Sequence, residues 1–220
     1  MGAILTVAQS KGGCAKSATI CALAPNLAAH GFRVCVVDSD RNQSFASWHS
    51  QVYEGPPFTC VSEVDHIRVV DLAAAQAETH EVVFVDTAGF ENLTAASAIG
   101  MADYVLIPCM PDRGSVRETL RTAQQVDSLA KAARRAIPYS VLLTRWKERG
   151  LAERAALDNL REAGMPLLEA KFADLADFTK LSFSGSVPLN GKIGQQSDRI
   201  IAELAGKGAM PTKPAMEEAA

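Results

Sequence analysis

The chain has 220 residues, 48% of them hydrophobic and 21% charged, with a formal net charge of −3. That length suits one domain with a large core; no run of eighteen apolar residues offers a transmembrane helix, and no charged leader with a cleavage site offers a signal peptide. A negative net charge excludes a globally basic nucleic-acid binder, so any such role needs a local patch, and the five scattered cysteines read as buried thiols of a reducing cytoplasm.

The first residues set the frame. Ala3 to Ala8 is an apolar strand, Ser10-Lys11-Gly12-Gly13-Cys14-Ala15-Lys16-Ser17 a glycine loop, and Lys16 to His30 a helix stopped by Gly31. Pro25 lies inside that helix and predicts a kink or break costing about 3 kcal/mol. Arg33 to Asp38 is a second strand, apolar without alternation, as expected of a parallel strand covered on both faces. A short helix follows from Ser44 to Val52, then a loop at Pro56-Pro57, a short strand from Thr59 to Val61 and a helix from Ile67 to Glu78. Glu81 to Asp86 repeats the apolar strand that ends in aspartate.

Leu93 to Met101 reads as helix, Tyr104 to Pro108 as strand, Asp112 to Gly114 as a turn and Ser115 to Arg134 as an amphipathic helix. Tyr139 to Thr144 is a strand and Leu151 to Ala163 a helix ending at Gly164. Pro166 to Glu169 looks like a strand remnant, with helices from Ala173 to Phe183 and from Ser197 to Ala205. From Gly206 onward Gly, Pro and Lys dominate, which predicts a disordered tail after one domain of residues 1–205. Strands alternating with helices predict the α/β class: a single doubly wound, mainly parallel sheet flanked by helices.

Ligands of such folds bind beyond the carboxyl ends of the strands, and the polar residues sit there. Strand, glycine loop, Lys-Ser and helix form a phosphate-binding loop, in which backbone N–H groups and a helix N-terminus wrap the phosphates. Lys16 then neutralises the outer oxygens and the Ser17 hydroxyl ligates Mg²⁺. Asp86, after four apolar residues, is placed to hold the same Mg²⁺ directly or through a water. Asp38 and Asp40 end the second strand.

Lys11-Gly12-Gly13-x-x-Lys16-Ser17, Asp38-x-Asp40, Val85-Asp86-Thr87-Ala88-Gly89, Pro108-x-x-Pro111 and Leu143-Thr144-Arg145 together resemble the deviant Walker ATPases of the ParA/MinD group, over residues 3 to about 205. Within that group, the short length and the Ser44-Phe45-x-x-Trp48 stretch are most similar to the small ParA plasmid-partition ATPases. The resemblance implies a cytoplasmic ATPase using ATP and Mg²⁺ that forms an ATP-bound homodimer. It implies that Lys11 crosses the dimer interface to the phosphates held by the other subunit, the part an arginine finger plays elsewhere. It further assigns nucleotide contacts to Gly12, Gly13, Cys14, Ala15 and Ala18. Asp40 is assigned to the attacking water, Asp38 to the neighbourhood of Mg²⁺, Thr144-Arg145 to the adenine edge, and Met110-Pro111 to packing on the base.

The family's ATP-bound dimers bind DNA without sequence preference, which makes nonspecific DNA a partner and the nucleoid a location. Two basic sets are candidates: Lys131, Arg134 and Arg135, and the scattered Lys171, Lys180, Lys192 and Arg199. A small centromere-binding or cargo-adaptor protein is the implied stimulator of hydrolysis. The cargo is a plasmid or chromosome or, alternatively, a protein assembly or DNA handed to a conjugation apparatus. A membrane-surface role is disfavoured by the proline-broken, acidic tail.

Ser10 stands where the general phosphate-loop pattern has its first glycine, and the chain departs from the family pattern in three places: Ala15 replaces a loop glycine, Ala18 replaces a hydroxyl residue, and Asp40-Arg41-Asn42-Gln43 lacks the usual Pro-Gln. A Cβ at residue 15 is tolerable if its φ is negative. The expectation is that ATP still binds while hydrolysis or dimer closure changes, down to a nucleotide switch with little hydrolysis.

Overall fold

The computed structural model describes residues 1–89 and 93–212. Six strands form one all-parallel sheet in the order β3-β2-β4-β1-β5-β6. They are β1 (Ala3–Val7), β2 (Val34–Asp38), β3 (Thr59–Ser62), β4 (Val82–Asp86), β5 (Tyr104–Cys109) and β6 (Tyr139–Leu143). The chain winds outward from β1 to β3, returns through β4, and then builds β5 and β6 on the far side of β1. Every residue of β2, β4 and β5 is buried, which explains the unbroken apolar runs, because helices cover both faces.

On one face lie α1 (Lys16–Ala29), α2 (Ser44–Gln51), α7 (Ala176–Ser184) and α8 (Lys192–Gly206). On the other lie α3 (Arg68–Thr79), α4 (Leu93–Met101), α5 (Arg113–Ala133) and α6 (Leu151–Glu162). Five expectations change. The helix α1 runs continuously through Pro25, and that proline is itself buried. Its packing on the sheet and on α8 supports the helix where a backbone bond is lost. The expected turn at Asp112–Gly114 is instead a helix start: Asp112 is the N-cap of α5, and its side chain accepts from the Ser115 N–H at 3.0 Å.

The last helix begins at Lys192, five residues before the expected Ser197. Gly191 is its N-cap, and Gly194 is buried within it, its carbonyl accepting from Asn26 Nδ2 at 3.3 Å. Residues 207–212 are not a loose tail, since Ala209 and Met210 are buried in the core beside Leu204; the remainder of the expected tail, 213–220, lies outside the described residues. Pro166–Glu169 contributes only an isolated bridge, Leu167 to Val141. All five cysteines are free thiols.

Candidate nucleotide site

The loop between β1 and α1 opens into a cleft of about 1080 Å³ at the carboxyl ends of the strands. Residues 12–19 form its floor, and residues 39–42 and 64–66 one wall. Thr144, Arg145, Phe172, Leu175 and Phe178 form its far end.

The two loop lysines point different ways. Lys16 is buried, and its Nζ donates to the carbonyls of Gln9 at 3.0 Å and Lys11 at 3.2 Å, inside the curl of the loop. Lys11 Nζ reaches instead to the start of α5, donating to Asp112 Oδ1 at 2.7 Å and Ser115 Oγ at 3.2 Å. Desolvation pushes the Asp112 carboxyl up, but hydrogen bonds from Lys11 and Ser115 outweigh it and hold the pKa down at about 2. Buried Gln9 fastens the loop to this region, its Nε2 donating to the Pro108 and Ser115 carbonyls and to Thr119 Oγ1. Ser10, in place of the first glycine, lies 3.4 Å from Thr122 Oγ1 of α5. Sequence reasoning missed Gln9, Asp112 and Ser115. Asp112 and Ser115 look like ordinary turn residues, and their partner Lys11 is about a hundred positions away.

Gly89 has a packing reason. A Cβ there would lie 2.8 Å from Gly12 Cα and 2.9 Å from Gly12 N, so the segment after β4 touches the loop backbone directly. Ala15 breaks the condition set for it. Its φ is +72°, in the left-handed region, as is that of Gly13. An L-residue there is strained by roughly 1–2 kcal/mol. Ala15→Gly is therefore expected to raise stability by about 1 kcal/mol, read as a higher unfolding midpoint in urea. A lower midpoint would contradict this local reading.

Asp86, the last residue of β4, is the most telling group beside the loop. It is 1% exposed, and neither carboxylate oxygen has a hydrogen-bond partner. Burial pushes its pKa up to about 7; the Ser17 hydroxyl, near but outside hydrogen-bond geometry, and Lys16 offset only part of that, while Asp38 and Asp40 add to it. A buried carboxylate without partners beside a glycine loop suits a cation, and its neighbour Ser17 lines the cleft. Asp38 Oδ1 accepts from Asp40 N at 3.1 Å and its Oδ2 from Ala46 N at 2.9 Å, so both oxygens brace the turn into α2 while the carboxylate stays near enough to Asp86 to raise its pKa. Asp40 lines the cleft, with Oδ1 accepting from Asn42 N.

Gly12, Gly13, Cys14, Ala15, Lys16, Ser17 and Ala18 line the cleft together with Thr144 and Arg145. Met110 and Pro111 do not; the apolar far end comes from Phe172 and Phe178, in edge contact with centroids 5.0 Å apart, and from Leu175. Thr144 Oγ1 is buried without a hydrogen-bond partner at that end. Arg145 is held at 3.5 Å from Asp174.

The basic candidates are dispersed. Arg135 donates to the carbonyls of Gly100 and Ala102, closing the end of α4. Lys171 pairs with Glu148 and Lys180 with Asp177. Lys131, Arg134, Lys192 and Arg199 are exposed.

Sheet order, glycine loop and strand-end carboxylates define a P-loop nucleotide-binding fold of the deviant Walker, ParA/MinD type. The chain belongs to the VirC1 protein family, which it matches over residues 2–210. Protein VirC1 of Rhizobium rhizogenes is 26% identical over 193 residues, 84% of this chain and 83% of that protein. Protein ParA of Rhizobium radiobacter is 30% identical over 141 residues, 64% of each chain, so the match spans just under two thirds of that relative's length. Among solved structures, an ATP complex of Cyanothece McdA has a TM-score of 0.76 at 13% identity, covering 96% of this chain and 98% of that one. Cobyrinic acid a,c-diamide synthase of Mycobacterium smegmatis with ADP and magnesium has a TM-score of 0.71 at 17% identity, covering 97% and 99%. At such identities the likeness is one of fold.

Proposed function

We propose that this chain is an ATPase whose active unit is an ATP-bound homodimer, each site completed by Lys11 of the other subunit. The observation that carries the reading is the divergence of the two lysines. Lys16 fills its own loop, while Lys11 sits away from it on Asp112 and Ser115. Asp86 and Ser17 would hold Mg²⁺, which neutralises charge on the terminal phosphate oxygens when bound. In the reaction a water oxygen bonds to the γ-phosphorus, the bond from that phosphorus to the bridging oxygen breaks, and ADP and phosphate leave. Asp40 orients the water. Lys16 and the partner's incoming ammonium stabilise the departing charge. The base lies at the end lined by Thr144, Phe172 and Phe178.

As to its work, the match to the VirC1 family across nearly the whole chain favours an accessory of DNA transfer, with a DNA-bound adaptor protein as the stimulating partner. Plasmid partition is the second reading, supported by the ParA relative. The shared site has a direct kinetic consequence. Phosphate release per chain is expected to rise with protein concentration until dimers dominate; a specific activity independent of concentration down to the lowest measurable level would contradict it.

A further inference from the structure

The two edges of the sheet are finished differently. Along β6 the chain that follows α6 closes the outer edge. Val141 N donates to the Pro166 carbonyl at 2.9 Å, Leu168 N to the Val141 carbonyl at 3.0 Å and Phe172 N to the Leu143 carbonyl at 2.9 Å. At the opposite edge β3 pairs with β2, and no other segment among the described residues pairs with it. Glu63 N donates to the Asp38 carbonyl at 3.1 Å, so the main chain at 63 faces β2. Hydrogen-bonding groups alternate sides along a strand, which turns those of Thr59 and Val61 toward β2 and those of Cys60 and Ser62 outward. An edge left open in this way is a template for another strand.

That open edge borders a groove of about 440 Å³, walled by the turn into α2 and by α2 itself. Asn42, Gln43, Ser47, Ser50, Gln51 and Ser62 line it, all of them uncharged amides or hydroxyls. His49 lies there too, with Nε2 3.1 Å from the Phe58 carbonyl; burial lowers its pKa, so it is neutral at pH 7. Neutral donors and acceptors beside outward-facing main chain suit the peptide groups of an extended segment. The surroundings select its charge. Between Arg41 and Arg68 the sequence has no Lys or Arg, while Glu54 precedes β3 and Glu63 and Asp65 follow it. Asn42 lines both this groove and the nucleotide cleft, so the two share one turn.

We infer that β3 and α2 form a docking site for an extended, basic peptide segment of a partner protein, which adds to the sheet as a seventh strand. The site belongs to a single chain and goes beyond the proposed function, since it needs neither nucleotide nor dimer. The four residues of β3 span about 13 Å. Cys60 and Ser62 supply the main-chain pairing, and every second side chain of the incoming strand meets the neutral wall of α2. Carboxylates before and after β3 attract the cations of the segment and repel an acidic one. A nucleic acid fits poorly, because no Lys or Arg lines the groove to meet its phosphates.

The test is fluorescence anisotropy of a labelled ten-residue peptide of alternating Lys and Thr with the full chain. Nucleotide is left out, so that failure here leaves the ATPase reading standing. The controls are a peptide of alternating Glu and Thr and an N-methylated form of the lysine peptide, which cannot donate from its main chain. Wild type is expected to bind the lysine peptide at least ten-fold more tightly than either control. Ser62→Pro removes an outward N–H and no bond to β2, a change that edge strands tolerate. It is expected to bind at least ten-fold more weakly at an unchanged thermal midpoint. Ser47→Arg/Ser50→Arg sets two cations on the helical wall and leaves the edge alone. Its expected loss is as large, and it keeps the assignment testable if the proline variant does not fold. No binding by wild type, equal binding of either control, or wild-type affinity in the arginine variant would overturn the assignment. Nucleotide-free self-association of wild type that Ser62→Pro abolishes would overturn it too, because the edge would then serve a second copy of this chain.

Discussion

Lys11→Ala is expected to lower ATP turnover by about a thousand-fold or more while leaving ATP binding by the single chain within a few-fold of wild type. The size follows from what a cation supplied across an interface contributes to phosphoryl transfer, on the order of 10³–10⁵. The selectivity follows from geometry. Lys16, not Lys11, has its ammonium inside the loop, so binding by one chain keeps its own lysine. The fold should scarcely notice the change. Asp112 loses a cation that is itself 35% exposed, but keeps the Ser115 N–H and hydroxyl, so the cap of α5 survives. A half-exposed pair of this kind contributes about 1 kcal/mol or less. The variant's pH response is expected to shift in one direction. A carboxyl whose folded pKa is held low stabilises the fold above its unfolded value, and that stability is lost as pH falls through the folded one. Without Lys11 the Asp112 pKa rises, so the loss begins at a higher pH. Phosphate release and binding of a fluorescent ATP analogue read the two effects separately. Loss of single-chain binding, or turnover near wild type, would contradict the account.

Asp86→Asn is expected to make the nucleotide-free protein more stable at pH 8 and to abolish most of its Mg²⁺-dependent turnover. Asp86 has both oxygens buried without hydrogen-bond partners and a pKa pushed up to about 7 by burial. Its folded pKa therefore lies above its unfolded value near 3.8, and the native state holds the proton more tightly. Stability present below pH 4 is lost as pH rises to about 7, by on the order of 4 kcal/mol at roughly 1.4 kcal/mol per unit. A neutral amide removes that dependence, so the denaturant midpoint of the variant should stay flat where wild type falls. The same substitution removes the anionic ligand that the cation needs, and turnover should drop by on the order of a hundred-fold or more. Parallel pH curves for the two proteins would show that Asp86 does not carry this cost, and unchanged turnover would show that it does not serve the metal.

Much of the fold was legible because its chemistry is local. Each parallel strand, buried on both faces, announces itself as an apolar run, and Asp38 and Asp86 mark where two of those runs leave the sheet. The glycine loop is legible for the same reason: it is one continuous stretch whose residue types have few other uses. What escaped depends on distance or on backbone angle. The hold of Asp112 on Lys11 joins positions 101 apart, and an Asp before Arg-Gly reads as a turn until its helix is seen. Asp38 was placed near the metal by the family resemblance; that two backbone amides of the next segment also donate to its oxygens was not legible. Met110-Pro111 was expected on the base from a motif alone, while the apolar end of the cleft is assembled by Phe172 and Phe178, near and in α7. Nor could a residue name reveal that Ala15 sits at φ +72°.

The strain at Ala15 and the unpaired charge of Asp86 are local costs placed where phosphate and cation would bind, which is where functional sites commonly store them. The position of Lys11 adds the consequence that matters most, that one chain does not contain a whole site. Sedimentation velocity of wild type and Lys11→Ala, each with ADP, with ATP and with a slow-hydrolysing ATP analogue, tests this most directly. Wild type is expected to sediment as a 23.4 kDa monomer with ADP and as a particle of twice that mass with the analogue. Lys11→Ala is expected to remain a monomer throughout. A wild type that stays monomeric in every nucleotide, or a Lys11→Ala variant that dimerises as tightly as wild type, would contradict the shared site.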